Sequence, residues 1–94
     1  MTTTIKNVAT LKGWMVLAGH PSIKTRTVLI GNVYNHPLFE DGECVRTSRI
    51  TDILGTFVIT RSGTLYLLEE PTQGYKIWLN QFGYEYDFNN PIIE

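Results

Sequence analysis

Cysteine, charge and long apolar runs are all scarce in this sequence of 94 residues. Cys44 is the only cysteine, which excludes an internal disulfide and a cysteine-rich zinc site. The longest apolar runs, such as Trp14 to Ala18, have four or five residues, whereas a membrane-spanning helix needs about 20. The first four residues lack the basic start and the apolar stretch of a secretory signal. We therefore expect a cytoplasmic protein that does not enter the membrane.

The balance of residue types is that of a folded globule. Apolar residues make up 43% of the chain and charged residues 18%, which is too hydrophobic for a disordered protein. The length suits a single domain and leaves no room for a second core. We expect one domain over residues 1–94.

Turn-forming residues recur along the whole chain and leave little space for long helices. The segments between them are rich in Val, Ile, Thr, Tyr, Phe and Trp, which favour strands. The pattern predicts a mostly β fold, either a small antiparallel barrel or a strongly bent sheet of five to six strands, with room for one short helix.

Several strands are predicted with different amounts of ambiguity. The spacing of apolar residues over Ile5 to Ala18 allows a strand, or a short helix that leads into one. The clearer candidates are strands over Thr25–Tyr34, with Gly31 as a bulge, over Cys44–Leu54, and over Tyr75–Leu79. The tail alternates aromatic residues, which predicts either an edge strand or a segment that docks on another subunit; they are Phe82, Tyr84, Tyr86 and Phe88.

The most distinct local pattern is a hairpin between Thr56 and Glu69, with Arg61-Ser62-Gly63 as its turn. Alternation places Phe57 and Ile59 on one face and Val58 on the other. We expect Phe57 and Ile59 to pair with Leu65 and Leu67, and Val58 and Tyr66 to share the opposite face.

No set of residues typical of a catalytic centre or a metal site is visible. His20 and His36 each precede a proline, and the chain has no spacing typical of metal ligands. Glycines occur singly, without the strand, glycine-rich turn and helix of phosphate-binding loops. The sequence therefore predicts a protein that is not an enzyme and that holds neither a metal nor a cofactor.

Binding a nucleotide requires fewer functional groups than catalysis does, and the sequence contains the residue types that supply them. Arginine and hydroxyl side chains bind phosphates, and aromatic faces stack on bases. The candidate phosphate ligands are Arg46, Thr47, Ser48, Arg49 and Arg61, and the candidate stacking residues are Tyr34 and Phe39, with Tyr66 also available. Alternatively, the hydroxyls only fill strand positions and the arginines pair with Glu40, Asp41 or Asp52.

Charge is distributed unevenly along the chain. Residues 1–65 carry seven basic and four acidic residues, a balance of +3, and residues 66–94 carry one basic and five acidic residues, a balance of −4. The near-neutral total and the pI of about 6.1 argue against nucleic acid as a partner. The acidic, aromatic C-terminal third allows an alternative function, in which the chain docks on a basic protein and inhibits it.

Two stretches of the chain carry a resemblance to a known group of proteins. The first runs Gly31-x-Val33-Tyr34-x-His36-Pro37-x-Phe39-x-Asp41-Gly42-x-x-Val45-x-Thr47-Ser48-x-Ile50, and the second runs Thr60-Arg61-Ser62-Gly63-Thr64-x-Tyr66-x-Leu68. This pattern resembles short β-rich proteins of phage and bacterial genomes, among them the Thoeris anti-defence sponges.

The resemblance implies that the chain sequesters an immune signal of the cyclic nucleotide or cyclic ADP-ribose type without cleaving it. It also implies a homo-oligomer with ligand pockets at the subunit boundaries. Phosphate contacts would then fall on the arginine and hydroxyl positions named above.

Overall fold

A computed structural model of the chain describes residues 5–22 and 27–93. These residues form six strands and one helix, which confirms a mostly β fold with one short helix. In chain order the elements are β1 Asn7–Leu17, β2 Val28–Tyr34, β3 Glu43–Arg46, β4 Ile50–Leu54, β5 Phe57–Thr60, β6 Thr64–Leu68 and α1 Gln73–Gln81. No helix in the described ranges has the length and apolar character needed to cross a bilayer.

The six strands form one sheet in the order β3-β2-β1-β6-β5-β4. It consists of two antiparallel meanders, β1-β2-β3 and β4-β5-β6. The meanders join at the centre of the sheet, where Asn7–Leu11 of β1 pairs in parallel with Thr64–Leu68 of β6. The sheet is therefore mixed and its ladder is not closed, so the prediction of a purely antiparallel barrel is not confirmed.

The chain connection between the two edge strands requires the sheet to bend. β3 and β4 lie at opposite edges, yet only residues 47–49 separate them. Four residue steps reach at most about 14 Å, whereas the edges of a flat six-stranded sheet are about 24 Å apart. The amide of Ile50 also donates to the carbonyl of Thr27 at 2.7 Å, which ties the start of β4 to the start of β2. We call residues 47–49 the crossing segment.

The concave face of the sheet carries the core, and α1 covers part of it. Strand side chains that point inward are fully buried, including Leu11, Leu29 and Val58. From α1, Tyr75 and Leu79 add to the same cluster. Burying such apolar side chains supplies most of the driving force for folding.

The helix replaces the strand predicted over Tyr75–Leu79. Its N-cap is Thr72, whose Oγ1 accepts a hydrogen bond from the amide of Tyr75 at 3.1 Å. Tyr75 and Leu79 are four positions apart, so both face the core on one side of the helix. β-type residues in this segment predict a strand, but the cap and the core contacts determine a helix.

The tail after α1 forms no strand over residues 82–92, so the edge-strand alternative is wrong, while docking on another subunit stays a prediction. The four aromatic residues do not share one face, because Tyr84 and Tyr86 pack against the core whereas Phe82 and Phe88 are exposed.

Three other local predictions need correction or refinement. β1 is a strand over nearly the whole of the ambiguous first segment. The predicted strand Cys44–Leu54 is two strands, because the crossing segment interrupts it. The first two residues of the predicted strand Thr25–Tyr34 lie outside the described ranges, and β2 begins at Val28.

The predicted bulge at Gly31 lies instead in the opposing strand. The register between β1 and β2 shifts between Lys12 and Met15, so Gly13 and Trp14 together face the single residue Gly31. A Cβ atom on Gly31 would lie 2.9 Å from the Cβ of Trp14. Gly31 is therefore the residue that makes room for the bulge and for the buried Trp14 indole.

The β5–β6 hairpin confirms the predicted pairing of Phe57 and Ile59 with Leu65 and Leu67. Phe57 pairs with Leu67, Val58 with Tyr66, and Ile59 with Leu65. The turn Arg61-Ser62-Gly63 closes through a hydrogen bond from the amide of Gly63 to the carbonyl of Thr60 at 2.9 Å. This hairpin places the hydroxyl groups of the turn beside the crossing segment.

Candidate functional site

A cavity of about 230 Å³ lies between the crossing segment, the β5–β6 hairpin and the loop that follows β2. Most of its wall is polar or aromatic. The lining residues are Asn7, His36, Leu38, Phe39, Arg46, Thr47, Ser48, Ser62, Thr64 and Tyr66. Of the residues predicted to bind a ligand, four meet here, namely Phe39, Arg46, Thr47 and Ser48.

Hydroxyl groups on the crossing segment and the hairpin turn hydrogen bond to one another. Ser48 Oγ donates to Ser62 Oγ at 3.1 Å and accepts from the Ser62 amide at 3.0 Å. Ser62 Oγ also lies 3.3 Å from Thr60 Oγ1. These contacts hold the crossing segment against the hairpin and present the two serines at the cavity.

Thr47 has a structural role rather than the predicted role of a hydroxyl donor to a ligand. Its Oγ1 accepts from the Leu29 amide at 3.0 Å and donates to the carbonyl of Ser48 at 2.8 Å. A hydroxyl has only one hydrogen to donate, and the side chain is buried. Thr47 therefore positions Ser48.

His36 is a buried residue of the cavity wall whose tautomer the hydrogen bonds define. The amide of Leu38 donates to Nδ1 at 3.1 Å, so Nδ1 carries no proton. In the neutral ring the proton is then on Nε2, which lies 3.4 Å from Thr64 Oγ1. Burial lowers the pKa of His36 below its usual value of 6.5, which favours this neutral form at pH 7.

Two aromatic rings flank this imidazole. The Phe39 ring centroid is 4.8 Å from that of His36, and the Tyr66 ring is stacked at 6.3 Å. Burial raises the pKa of the Tyr66 hydroxyl, so this residue stays neutral. The cavity therefore offers flat apolar faces beside its hydrogen-bond donors.

The three candidate arginines carry charges without a carboxylate partner in the described ranges of the chain. Arg46 lines the cavity, while Arg49 and Arg61 are exposed and linked to each other by a bond from the Arg61 amide to the Arg49 carbonyl at 2.8 Å. Arg49 directly follows Ser48, and Arg61 directly precedes Ser62. The alternative in which these arginines pair with nearby acids is not observed.

One predicted stacking residue, Tyr34, lies elsewhere. Its neighbour Val33 is fully buried in the core, so alternation along β2 turns Tyr34 to the other face of the sheet. There Lys12 Nζ lies 4.8 Å from the centre of the Tyr34 ring. Tyr66 takes the place in the cavity wall that was predicted for Tyr34.

Sequence reasoning assigned no ligand role to His36, Ser62 or Thr64, although all three line the cavity. Arg61-Ser62 repeats the arginine-hydroxyl order of Arg46-Thr47, which is a sequence signal for Ser62. Nothing local indicated His36, because the loop reaches the start of β6 only through the parallel pairing of β1 with β6.

The arrangement provides donors for an anion. Within residues 5–22 and 27–93, no three His, Cys, Asp or Glu side chains come close enough to hold a metal ion.

A search of protein-family models, of curated proteins and of solved structures finds no match to this chain.

Proposed function

We propose that this chain is a cytoplasmic binding protein that sequesters a phosphate-bearing nucleotide, of the cyclic signalling type, and does not cleave it. The observation that carries the proposal is Arg46, which has no carboxylate partner among residues 5–22 and 27–93, beside a cavity with hydroxyl and aromatic walls. A guanidinium without a carboxylate partner binds a phosphate without first losing an internal ion pair. The resemblance to anti-defence sponges agrees with this assignment.

The residue types of the cavity wall suit an anionic group with an attached ring. Arg46 supplies charge, and the Ser62 hydroxyl supplies a donor at the same wall, whereas the hydrogen of Ser48 Oγ is donated to Ser62 Oγ. Phe39 and Tyr66 supply faces for a base. Arg49 and Arg61 are exposed and adjoin Ser48 and Ser62 in sequence, so they add positive charge to this part of the chain.

The size of the cavity supports an oligomer. Its volume of about 230 Å³ lies below the range of about 300 to 1,000 Å³ that is typical of small-molecule sites. A nucleotide is too large for this cavity, so one part of the ligand would fill it and the other part would lie outside, over its rim. A second copy of the chain that covered the rim would enclose the ligand, which is the reason to propose a homo-oligomer.

The state of His36 supports binding without turnover. Its Nδ1 lone pair accepts from the Leu38 amide and its Nε2 carries the proton, so neither nitrogen is free to act as a general base. His36 in this state is therefore not available to activate a cavity hydroxyl as a nucleophile.

Thermal melting tests the proposal, with cyclic ADP-ribose isomers and cyclic di- and trinucleotides as ligands. A ligand present at 100 times its dissociation constant adds about 2.7 kcal/mol of stability, which raises the melting temperature by several degrees in a domain of this size. We expect this shift to disappear in Arg46→Ala and to persist in Tyr34→Leu, since Tyr34 lies on the opposite face. Mass spectrometry of the ligand released by heating should show it unchanged.

The opposite results distinguish the remaining functions. A released ligand of altered mass would show an enzyme. A melting temperature that none of these ligands changes would favour the second candidate function, in which the acidic C-terminal third docks on a basic protein. That candidate rests on the exposed side chains of Ile77, Phe82 and Phe88, which lie in this third of the chain.

A further inference from the structure

Asn7, the first residue of β1, is a polar residue in the wall of the cavity. It pairs with Thr64 of β6, and alternation along β1 puts its side chain on the concave face together with that of Ala9. The inward positions that follow it, Ala9 and Leu11, are apolar, and asparagine is depleted in strands. Within the described part of the chain its carboxamide has no hydrogen-bond partner. The sheet therefore gives no structural reason for an amide at this position.

The residues that line the cavity divide into a buried group and an exposed group. His36, Thr64 and Tyr66 are buried and lie together, and Asn7 beside Thr64 is half-buried. Arg46 is exposed. A phosphate at an exposed guanidinium keeps part of its hydration, whereas a flat, uncharged base suits a buried wall with aromatic rings. A nucleotide in this cavity would therefore place its base against the buried group, beside the carboxamide of Asn7.

The carboxamide of Asn7 offers one hydrogen-bond donor and one acceptor side by side. The N6–H group and the N7 atom of adenine form the matching pair, whereas the O6 and N7 atoms of guanine are two acceptors. The other polar edge of guanine carries neighbouring N–H donors, which suit the two acceptor oxygens of a carboxylate. No Asp or Glu side chain is among the described residues that line the cavity. The polar groups of the buried wall therefore favour adenine over guanine.

We propose that Asn7 selects the base of the sequestered nucleotide and favours adenine, whose N6–H and N7 edge it binds through its carboxamide. This inference rests on the proposed function, because it concerns the part of the same ligand that enters the cavity. Arg46 attracts any nucleotide through the phosphate. Affinity for nucleotides as a class and choice of the base therefore depend on different residues.

The test measures the dissociation constants of cyclic di-AMP and cyclic di-GMP with the full chain, by isothermal titration calorimetry. We expect cyclic di-AMP to bind at least about tenfold more tightly, as is typical of one good pair of hydrogen bonds to a base edge. The 7-deaza form of cyclic di-AMP has carbon in place of N7 and keeps the stacking faces. We expect it to bind about fivefold more weakly than cyclic di-AMP, because the amide donor of Asn7 then lacks its acceptor.

Asn7→Leu removes both hydrogen bonds with little change in side-chain size. In this variant cyclic di-AMP and its 7-deaza form should bind within about twofold of each other, and the preference over cyclic di-GMP should disappear. Asn32→Leu is the matched control, because Asn32 is also a half-buried strand residue but lies on the opposite face of the sheet from Val33. It should keep the ratios of the natural chain. Circular dichroism checks that both variants fold.

Two further variants separate the base from the phosphate. Asn7→Asp replaces the amide donor by a second acceptor, so the ratio of the two affinities should change toward cyclic di-GMP by about tenfold. The added negative charge weakens both ligands alike and leaves this ratio unaffected. Arg46→Ala should weaken both ligands while the preference for cyclic di-AMP persists.

The outcomes distinguish this inference from the proposed function. If neither cyclic dinucleotide binds, selection by Asn7 is wrong, and the proposed function stands only if a cyclic ADP-ribose isomer raises the melting temperature. If both bind and Asn7→Leu keeps the affinity ratio of the natural chain, only the inference is wrong. A preference of the natural chain for cyclic di-GMP would overturn it as well. So would an equal loss for the 7-deaza analogue in the natural chain and in Asn7→Leu.

Discussion

The amide of Leu38 donates a hydrogen bond to Nδ1 of His36 at 3.1 Å, across the intervening Pro37. The other histidine of the chain makes the same bond, since the Ser22 amide donates to Nδ1 of His20 at 3.0 Å. Both His-Pro turns therefore use the imidazole as an acceptor for the backbone two residues later. Protonation at Nδ1 would remove this acceptor, so the hydrogen bond that closes the turn at His36 depends on pH.

The fold should lose stability in acid through His36. Burial lowers the folded-state pKa below the unfolded value of 6.5, so the unfolded state binds the proton more readily as the pH falls below 6.5. The contribution of neutral His36 is present above this pH and is lost as the pH falls through the folded-state pKa. Urea unfolding at pH 7.5 and at pH 5 measures the effect.

His36→Asn is the control for this titration. Its side-chain oxygen can also accept from the Leu38 amide but does not titrate. The difference in unfolding free energy between the natural chain and the variant should shrink from pH 7.5 to pH 5. A constant difference would contradict the assignment.

Gly31→Ala should destabilise the fold by about 1 to 3 kcal/mol, which is typical of overpacking in a core. The added methyl group would lie 2.9 Å from the Cβ of Trp14 and 3.1 Å from Cγ of Leu11, and the backbone of β1 would have to move. Gly19→Ala is the matched control, because a Cβ there meets nothing within 4 Å. Urea midpoints that are equal for both variants would refute the close approach at Gly31.

The two tryptophans should differ sharply in their importance to stability. Trp14 is fully buried and its Nε1 donates to the carbonyl of Glu69 at 2.7 Å. Trp14→Phe removes this bond and leaves a small void, so we expect a loss of about 2 to 4 kcal/mol. Trp78→Phe, at a half-buried position, should cost less than about 1.5 kcal/mol.

Fluorescence of these variants tests the same difference in burial. Trp78→Phe leaves Trp14 as the emitter, which iodide should quench weakly, whereas Trp14→Phe leaves the more accessible Trp78. Strong quenching in both variants would show that Trp14 is not enclosed.

Tyr75 should make the fold sensitive to alkali. Its hydroxyl donates to the carbonyl of Pro91 at 3.3 Å. Burial is the larger cause and the charge of nearby Tyr86 the smaller one that together raise the pKa of Tyr75 from 10.0 to about 12. The unfolded state then releases the proton first, so stability is full below pH 10 and falls as the pH rises toward 12. Tyr75→Phe cannot ionise, and its unfolding free energy should decrease less between pH 9 and pH 11.5. Parallel decreases in the two proteins would contradict a buried Tyr75 hydroxyl.

Local patterns predicted the parts of this fold that depend on neighbours in sequence. The β5–β6 hairpin follows from the alternation of Phe57 to Ile59 and from a turn with Ser62 and Gly63. The helix could have been recognised from Thr72 as a cap and from the spacing of Tyr75 and Leu79, but Gly74 and the β-type residues of this segment obscured it.

The central parallel pair has no such local signal. Asn7 pairs with Thr64, 57 positions later in the chain, and no motif in either strand indicates the other. Phe39, Arg46 and Ser48 lie on one continuous stretch, and the sequence predicted all three as ligand residues. The contact of His36 with Thr64 depends on the distant pairing of β1 with β6, so the sequence did not predict it. Tyr34 was misplaced because the face it occupies depends on the register of β2.

The joining of two meanders at β1 and β6 also sets the order of events during folding. Each meander contains only short-range contacts and can form early, whereas the pairing of Asn7 with Thr64 must close a long loop. Until then β1 and β6 are both exposed edges that other chains can join. The slow step should be the docking of two preformed halves, and aggregation should compete with folding at that step.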